Sequence, residues 1–298
     1  MSSLRCDGSW RLDPGFPQHV LGRDHTITGR KRRMRLAPHA RHIRTLIKKS
    51  LPGRCHSLAR KIFLAVRSFG SRLECPCCGG RFWEFLPFGV TPRPNALCPG
   101  CGSLERHRLL WLYLKDRTNF FTDRLRVLDV APTRFFSEQC TRLQNLDYVS
   151  ADLSSPLANL QMDITDIPLP DNSFDCIICC HVLEHIPDDR KAMKELWRTL
   201  APGGWAIIQS PIDASRDKTF EDPRVVSPED RKRLFGQSDH VRIYGRDYKD
   251  RLEEAGFIVR LDKYVQELGS RRVRIYSLGS EDEIYFCSKP GWPLGSAQ

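Results

Sequence analysis

The stretch that decides the fold is residues 174–180, FDCIICC, in which Asp175 is the one charged residue. Isoleucine and cysteine side chains occupy both alternating faces of this run, so a strand here is apolar on each side. Strands that are apolar on both faces are typical of parallel sheets covered by helices. We therefore predict that residues 174–180 form a buried central strand.

Short apolar strands and helical segments alternate on both sides of this run. Strands are predicted at 126–130, 148–152 and 205–209, and helices at 134–145, 187–200 and 246–255. The alternation predicts a doubly wound α/β sheet. The C-terminal end differs, because residues 257–265 and 283–287 predict two strands with no helix between them. These two strands should pair antiparallel at the sheet edge.

A compact cysteine module precedes the sheet. Cys75 and Cys78 form one C-x₂-C pair, Cys98 and Cys101 form a second, and 19 residues separate the pairs. Two residues between thiolates allow one tight turn to present both sulfurs to a tetrahedral ion, so the spacing predicts a four-cysteine zinc site. Four protein ligands fill the coordination sphere, which makes the predicted zinc structural rather than catalytic.

Other residues of the module leave alternatives open. Cys77 lies inside the first pair and His107 follows the second, so each is an alternate ligand. His107 is expected instead on a helix whose N-cap is Ser103. The aromatic segment 82–88 either covers the metal site or stacks a ligand, and we favour the covering role.

Positive charge is concentrated near the N-terminus. The chain has 298 residues and a formal net charge of +11, but residues 1–70 hold 16 basic and 3 acidic residues, so the remainder is close to neutral. Residues 1–38 show no hydrophobic period and are predicted to be disordered. Residues 40–50 and 55–69 predict basic amphipathic helices, which either pack on the body or make a peripheral membrane contact through residues 40–69.

The composition excludes several protein classes. Apolar residues make up 40% and charged residues 28%, as in ordinary globular proteins. No run approaches the roughly 18 apolar residues that a membrane helix needs, and the N-terminus shows no secretory signal. We therefore expect a cytoplasmic protein in which the 12 cysteines are reduced thiols, some of them binding metal.

Five motifs occur along the α/β region in the order of a known family. They are Val127-Leu128-Asp129-Val130, Asp152 at the end of the second strand, Met162-Asp163-Ile164, LPDNSFD at 169–175 and LAPGGW at 200–205. As a set, they resemble class I S-adenosylmethionine-dependent methyltransferases of the type 11 group, over residues 125–289. The resemblance implies a Rossmann-like methyltransferase fold: a doubly wound, mostly parallel seven-stranded sheet with an antiparallel edge strand, here preceded by a small zinc ribbon.

The resemblance also implies which residues bind the cofactor. Asp129 would lie near its amino group, and Asp152 would accept hydrogen bonds from both ribose hydroxyls. Asp163 and Ile164 would lie in the loop that recognises adenine. Ala131, directly after the first strand, and His181, directly after the central strand, are further cofactor-binding candidates.

The loop after the first strand departs from the family pattern. The family usually has G-x-G there, whereas this chain has Ala131-Pro132-Thr133. Ala131 is accommodated easily if its φ is negative. Pro132 removes an N–H donor, so the loop must take a different shape.

The segment His181-Val182-Leu183-Glu184-His185 contains the candidate catalytic residues. It resembles the E-x-x-E-H motif of small-RNA 2′-O-methyltransferases and ubiquinone-pathway O-methyltransferases, with His181 replacing the first Glu. His240 lies in an insertion after the fifth strand that should cap the substrate pocket. We predict Glu184, His185 and His240 as catalytic residues, with a histidine acting as the base for a hydroxyl. The alternative is a divalent metal ion at the active site, held by these same groups.

The sequence therefore predicts four regions and one leading function. The regions are a disordered basic extension at 1–38, basic helices at 39–70, a zinc ribbon with its connecting helix at 71–117, and a methyltransferase domain at 118–290 with a lid insertion at about 212–245. The leading function is methyl transfer from S-adenosylmethionine to a small-molecule or glycan acceptor, at a hydroxyl.

Two other functions stay open. The first is an RNA methyltransferase that grips nucleic acid with its zinc ribbon, which the near-neutral body disfavours because phosphate binding needs clustered cations. The N/D-P-P-Y/F motif of many base-methylating enzymes is also absent after the central strand. The second is a non-catalytic interaction protein built on a degenerate methyltransferase fold.

Overall fold

The computed structural model describes residues 69–156, 158–279 and 283–291. The predictions for residues 1–38 and 40–68, including the membrane contact, lie outside the described residues. Within the described ranges, no helix is both long and apolar enough to cross a membrane.

Four short strands form the cysteine module. Strand β1 (Phe69–Glu74) pairs antiparallel with β2 (Arg81–Phe82), and β3 (Leu86–Phe88) pairs antiparallel with β4 (Arg93–Leu97). The first cysteine pair lies in the turn between β1 and β2, and the second directly follows β4. Helix α1 (Glu105–Arg117) then leads into the sheet.

The rest of the chain alternates strands and helices. In order, the elements are β5 (Leu125–Val130), α2 (Arg134–Cys140), β6 (Leu146–Asp152), β7 (Leu160–Gln161), β8 (Phe174–Cys180), a 3₁₀ turn (Leu183–His185), α3 (Asp189–Thr199), β9 (Leu200–Gln209), β10 (Phe220–Glu221), α4 (Pro228–Phe235), β11 (Arg242–Ile243), α5 (Tyr248–Glu254), β12 (Ile258–Asp262), α6 (Tyr264–Glu267), α7 (Gly269–Tyr276) and β13 (Ile284–Ser288). The predicted central strand has the same bounds as β8.

Seven of these strands form one sheet in the order β12-β13-β9-β8-β5-β6-β7. The strands β5 to β9 pair in parallel, whereas β13 is antiparallel to both β9 and the outermost strand β12. This confirms the predicted fold class, a mostly parallel Rossmann-like methyltransferase sheet with an antiparallel strand at one edge. The strand order reverses between β5 and β8, and the crevice at such a switch point is where doubly wound sheets bind ligands.

Each face of the sheet carries its own apolar core. Along β8, Cys176 and Ile178 face α1, α2 and α6, while Ile177 and Cys179 face α3 and α5. All four side chains are buried. Because both faces are covered, the uninterrupted apolar run of β8 is explained by position rather than by strand propensity alone.

Local capping residues set where the helices start. The side chain of Thr133 accepts a hydrogen bond from the Phe136 N–H at the start of α2, and Asp188 accepts one from Lys191 N–H at the start of α3. Ser227 caps α4 in the same way, followed by Pro228 in its first turn. These caps place the starts of α2 and α3 just beyond the carboxyl ends of β5 and β8.

Three predictions about elements are wrong. Helix α2 ends at Cys140 rather than 145, because the Asn145 amide donates to the carbonyls of Phe120 and Asp123 and holds the chain in a turn. The segment between β12 and β13 contains α6 and α7. Tyr264 of α6 packs on Tyr113 of α1 at 5.3 Å between ring centroids, and this tertiary contact favours helix over a continued strand. Ser103 does not cap α1, whose N-cap is Leu104.

Candidate active site

The residues that follow β5 and β8 both have left-handed backbones. Ala131 has φ +50° and His181 has φ +59°. The Ala131 N–H donates to the Ala151 carbonyl, and the His181 N–H donates to the Gln209 carbonyl, each at 2.7 Å. After these last ladder bonds the chain turns sharply away on both strands. The two loops flank the switch point, where doubly wound sheets form the crevice that binds ligands.

The φ of Ala131 is positive, so the condition under which alanine is easily accommodated at this position is not met. A left-handed backbone costs a residue with a Cβ about 1–2 kcal/mol relative to the right-handed form, and glycine avoids this cost. Ala131 thus adopts a backbone conformation that glycine adopts more easily, and its side chain is exposed.

Asp129 lies on β5 just below this turn. Its side chain is 3% exposed, and its Oδ2 accepts a hydrogen bond of 2.8 Å from the Tyr148 hydroxyl. Burial raises the pKa of Asp129 to about 7, although the Tyr148 hydrogen bond acts in the opposite direction. A nearby cationic group, such as the amino group that the resemblance assigns to this position, would favour the ionised form.

The carboxylate predicted to bind ribose, Asp152, is the last residue of β6, and the one predicted to bind adenine, Asp163, lies in the loop after β7. The Oδ1 atom of Asp152 accepts the N–H groups of Ser154 and Ser155 at 2.8 and 2.7 Å, which fixes the loop after β6. Asp163 is exposed, and its Oδ1 accepts the N–H and hydroxyl of Thr165, both at 2.8 Å. Ile164 is 4% exposed and packs in the core below that loop.

Glu184, His185 and His240 come together although 54 residues separate the last two. One ligand atom from each lies within 4.8 Å of the others. The His185 and His240 rings meet edge to face, with centroids 4.7 Å apart and planes at 83°. His185 Nδ1 lies 3.3 Å from the Asp239 carboxylate. The fold thus brings together two histidines that lie on separate segments of the sequence.

Glu184 is buried, with 2% of its surface exposed, and is fully engaged by polar partners. Its Oε2 accepts the Ser210 hydroxyl at 3.0 Å, and its Oε1 lies 3.3 Å from His181 Nδ1. Burial acts to raise the pKa of Glu184, but the hydrogen bond and charge of His181 outweigh it, so the pKa is lowered. The carboxylate is therefore ionised at neutral pH and forms the negative centre of the cluster.

His240 differs from His185 in its surroundings. It is 7% exposed, whereas His185 is half-buried. Burial and the neighbouring His185 lower the pKa of His240, while the carboxylates of Glu184 and Asp239 act in the opposite direction. His240 is thus neutral at pH 7 and has a ring nitrogen available to accept a proton or bind a metal ion.

Arg242 holds the segment that carries His240 against the 3₁₀ turn that carries Glu184 and His185. Its guanidinium donates to the carbonyls of Leu183 and Pro187, each at 2.8 Å, and also to that of Ile186. It also pairs with Glu221 at 2.9 Å, and only 3% of the residue is exposed. With its donors used this way, Arg242 is bonded within the protein and ties its own segment to the 3₁₀ turn.

Arg242→Met is expected to destabilise the fold by about 3–5 kcal/mol, because the variant leaves three backbone carbonyls without their donor and removes one of the two arginines that pair with Glu221. Denaturant unfolding with a tryptophan signal would measure this. Arg246→Met is the matched control, since the Arg246–Asp217 pair is exposed and should contribute less than about 1 kcal/mol. Equal losses of unfolding free energy in the two variants would contradict this structural role of Arg242.

The two cysteine pairs lie in matching turns. In the first, the Gly79 N–H donates to the Cys75 carbonyl at 2.8 Å; in the second, the Gly102 N–H donates to the Cys98 carbonyl at 2.9 Å. Gly79 and Gly102 have φ of +68° and +76°. Only glycine adopts this conformation readily, so each glycine lets the chain turn back beside the sulfurs.

The four predicted sulfurs cluster with tetrahedral spacing. The Sγ atoms of Cys75, Cys78, Cys98 and Cys101 all lie within 4.8 Å of one another. Cys75 and Cys101 are 3.7 Å apart, and Cys78 and Cys98 are 3.8 Å apart. Four sulfurs bound at about 2.3 Å to one tetrahedral zinc would be separated by about 3.8 Å. The donor set therefore fits zinc in both chemistry and spacing.

The two alternate zinc ligands, Cys77 and His107, make other contacts. His107 Nδ1 accepts the Leu104 N–H at 3.1 Å, and the Cys77 thiol lies 3.8 Å from the His107 carbonyl. Ser103, predicted as a helix cap, instead places its hydroxyl 3.2 Å from the sulfurs of both Cys75 and Cys101. A hydroxyl at that distance can donate to a metal-bound thiolate.

Several residues with important contacts were not predicted from the sequence. Arg108 is fully buried, and its guanidinium donates to five backbone carbonyls, those of Asn95, Ala96, Ser103, Tyr276 and Ser277. It thereby ties the cysteine module to α7, and no sequence pattern marks it. Ser210 and Asp239 complete the histidine cluster. A polar residue directly after a predicted strand was an available signal for Ser210.

Part of the chain is similar to known proteins. A family model described as "Methyltransferase domain" matches residues 98–208. Among curated proteins, the ubiquinone/menaquinone biosynthesis C-methyltransferase UbiE of Vibrio cholerae is 28% identical over 111 residues, which cover 33% of this chain and 43% of that protein. UbiE of Escherichia coli O1:K1 is 27% identical over 126 residues, covering 38% and 46%. The chain thus spans less than half the length of these curated relatives.

Solved structures with a similar fold include the [4+2]-cyclase SpnF and a SAM-dependent methyltransferase from Archaeoglobus fulgidus. The first has a TM-score of 0.44 and 16% identity, covering 63% of this chain and 84% of that one. The second has a TM-score of 0.40 and 18% identity, covering 61% and 91%.

Proposed function

We propose that this protein transfers a methyl group from S-adenosylmethionine to a hydroxyl of a small-molecule or glycan acceptor. The observation that carries the proposal is the Glu184–His185–His240 cluster, two of whose members directly follow β8, one of the two strands at the switch point. The match of residues 98–208 to a methyltransferase-domain model supports the cofactor part of the proposal. The acceptor part depends on the chemistry of the cluster.

The crevice fits the cofactor in its polar groups. Asp152 would bind the ribose through Oδ2, since the backbone hydrogen bonds of its loop are accepted by Oδ1. Asp163 would accept from adenine, and the buried Asp129 carboxylate would face the amino group of the methionine half. When bound, S-adenosylmethionine supplies an electrophilic methyl group; the protein's part is to align the acceptor with it.

The histidine pair is suited to take a proton from the acceptor. His240 has a lowered pKa and is neutral at pH 7, so it can accept a proton. His185, beside Asp239, is placed to orient the acceptor or to share that proton. Arg242 fixes the separation of the two segments, which keeps the histidines at contact distance when the acceptor enters.

A second version of the site uses a divalent metal ion. Glu184, His185 and His240 offer one carboxylate and two imidazoles within 4.8 Å, a donor set that suits several divalent metals. Such an ion would lower the pKa of an acceptor hydroxyl. Chelation and metal rescue distinguish this version from the metal-free base.

Methylation at carbon is a second candidate reaction. The similarity to UbiE, whose name describes a C-methyltransferase, favours it. A base next to an aromatic acceptor hydroxyl would serve either reaction. Mass spectrometry of the product after mild dealkylation would separate O-methyl from C-methyl linkages.

We further propose that the cysteine cluster binds one structural zinc ion. The four thiols have the spacing of a tetrahedral site, and Ser103 lies beside two of them. Such a zinc would hold the two hairpins together and, through α1 and Arg108, fix them on the sheet. This role leaves the methyl-transfer chemistry to the crevice.

The test of the proposed function is cofactor binding by calorimetry, followed by radiolabelled methyl transfer to fractions of a cell extract. Binding of S-adenosylmethionine and labelling of one small-molecule fraction are expected. Absence of cofactor binding at millimolar concentration would overturn the enzymatic proposal, and labelling confined to RNA or protein fractions would overturn the acceptor class.

Asp152→Ala is expected to weaken cofactor binding by about tenfold or more, because a charged acceptor for the ribose hydroxyls is lost. Titration calorimetry with S-adenosylhomocysteine would measure the change. Asp147→Ala is the matched control, since Asp147 is an exposed carboxylate near the other end of β6. Unchanged affinity in Asp152→Ala would remove this residue from the site.

A further inference from the structure

A surface cavity of about 560 Å³ lies between the cysteine module and helix α7. Strand β1 contributes Arg72 and Leu73 to its lining, β4 contributes Asn95, and the other lining residues come from α6, α7 and the segment just after α7. The volume falls in the range of about 300–1,000 Å³ that is typical of small-molecule sites. The cavity shares no residue with the candidate active site or with the loops after β5, β6 and β8.

Part of the cavity lining is apolar. Leu73 and Val265 are 5% and 2% exposed, and Val273 and Leu278 are half-buried. All four side chains belong to, or pack against, the apolar core that the module shares with the sheet. A ligand with an apolar portion would cover the exposed parts of Val273 and Leu278 and remove them from water.

The walls of the cavity are joined to each other by hydrogen bonds. The Ser277 hydroxyl donates to the Asn95 carbonyl at 2.9 Å. The buried Arg108 guanidinium donates to the carbonyls of Asn95 and Ser277, at 3.4 and 2.7 Å. The two sides of the cavity are therefore fixed before any ligand arrives, which lowers the entropy cost of binding.

Two arginines with free donors also line the cavity. Arg72 and Arg274 are exposed, and in the described part of the chain no hydrogen bond or ion pair engages either guanidinium. By contrast, the nearby Arg93 pairs with Glu105 at 3.0 Å. The lining residues include no carboxylate. Because a guanidinium has only donors, two unpaired ones in one cavity favour an anionic ligand.

The charge of the cavity also limits what can occupy it. The chain's own N-terminal segment, residues 1–70, holds 16 basic and 3 acidic residues. This segment would bring positive charge to a positive cavity, so charge complementarity argues against it as the occupant. A small molecule that carries an anionic group fits both the charge and the volume.

We propose that this cavity binds a small organic anion, in which a phosphate or carboxylate group is joined to an apolar portion. Arg72 and Arg274 bind the anionic group, and the apolar portion covers Val273 and Leu278. The inference goes beyond the proposed function, because the site lies apart from the candidate active site. A ligand that contacts both β1 and α7 would also stabilise the junction between the cysteine module and the sheet.

Calorimetric titration of the full chain at low ionic strength tests this inference with four compounds: hexyl phosphate, hexanoate, hexanol and inorganic phosphate. At least one of the two hexyl anions is expected to bind, and the tighter one identifies the anionic group. Inorganic phosphate should bind about tenfold more weakly than hexyl phosphate, because it covers no apolar surface. Hexanol, which lacks the charge, should show no measurable binding.

Substitutions locate the site. Arg72→Gln and Arg274→Gln should each raise the Kd of the bound hexyl anion by about tenfold, because each removes a charged donor. Val273→Thr should weaken binding of the hexyl anion and leave inorganic phosphate unchanged. Arg271→Gln is the matched control, since Arg271 is an exposed arginine of α7 that does not line the cavity. It should leave the Kd unchanged.

Three results would overturn the inference. They are absence of binding of both hexyl anions at millimolar concentration, equal weakening by Arg271→Gln and Arg274→Gln, and loss of binding when S-adenosylhomocysteine saturates the protein. The last result would place the anion in the cofactor crevice. Melting curves without ligand show whether each variant keeps its fold, which is expected because both arginines are exposed and unpaired among the described residues. These outcomes leave the proposed function untouched, and its failure would leave this site standing.

Discussion

Cys98→Ser is expected to release the zinc and to unfold the cysteine module. A structural zinc contributes about 10–16 kcal/mol of apparent binding free energy in small zinc-finger peptides, and three thiolates with a serine hydroxyl form a much weaker site. Cys98 is 1% exposed, and its backbone closes the second turn through the Gly102 N–H. The loss should therefore reach the whole segment from β1 to the start of α1.

The loss of stability in Cys98→Ser should extend to the sheet. Leu73, Phe82 and Phe85 of the module share one apolar core with α1 and with strands β5, β8 and β9. Arg108 also ties the module to α7 through the carbonyls of Tyr276 and Ser277. We expect a lower Tm for the whole described region rather than local unfolding alone, measured by calorimetry alongside elemental analysis.

Cys77→Ser is the matched control for this prediction. Cys77 is buried in the same turn, but its sulfur lies outside the four-sulfur cluster and near the His107 carbonyl. This variant should keep one zinc per chain. Full zinc in purified Cys98→Ser would overturn the ligand assignment, and zinc loss from Cys77→Ser would show that Cys77 is a ligand.

The strands could be predicted from sequence where burial alone decides them. The bounds of β8 follow from an apolar run that is covered on both faces, and the antiparallel pairing of β12 with β13 follows from the order of the last strands. Helices α6 and α7 could not be predicted in the same way. Their short apolar face, with Tyr264 and Val265, becomes helical because α1 lies across it, and Gly269 at φ +73° separates the two.

The candidate site, like the fold, could be predicted only in part from the sequence. Cysteine spacing encodes which sulfurs meet, because a C-x₂-C turn is a local structure. The contact of His185 with His240 depends on the path of the segment predicted as a lid, at about 212–245, and the sequence motif supplied only the expectation that this segment folds back. Arg242 is buried and bonded to three carbonyls, whereas Arg246 is exposed beside Asp217, and no sequence pattern distinguishes two arginines by the partners that a fold gives them.

His240→Ala is expected to lower kcat by about 10²–10⁴ and to leave the affinity for S-adenosylhomocysteine within about twofold, if His240 is the base. His185→Ala should have an effect of the same kind, because the rings are in contact and share one acceptor. Arg233→Ala is the control on the lid, since Arg233 is exposed and pairs with Asp230 on α4; its turnover should stay within twofold. Initial rates with the identified acceptor give these values.

The pH dependence of kcat/KM should show which protonation state is active. Burial and His185 lower the pKa of His240, so the neutral, base-competent form persists as the pH falls below the ordinary histidine value of about 6.5. The acid limb of the profile is therefore expected below pH 6.5. The same shift means that unfolded chains bind more protons than folded ones in that range, so stability is also lost as the pH falls through it. Measured unfolding curves at each pH separate the two effects.

The metal version of the site makes a different prediction from the same variants. Chelation would abolish turnover, and added Mg²⁺ or Mn²⁺ would restore it while the cysteine-bound zinc stays in place. Glu184→Gln would then weaken metal binding as strongly as His240→Ala, because both remove a ligand. Under the base version, chelation leaves turnover unchanged, and Glu184→Gln acts through the His181 and Ser210 contacts. Turnover within threefold of wild type in both His185→Ala and His240→Ala would exclude either version, since no reacting proton or ion would then depend on the pair.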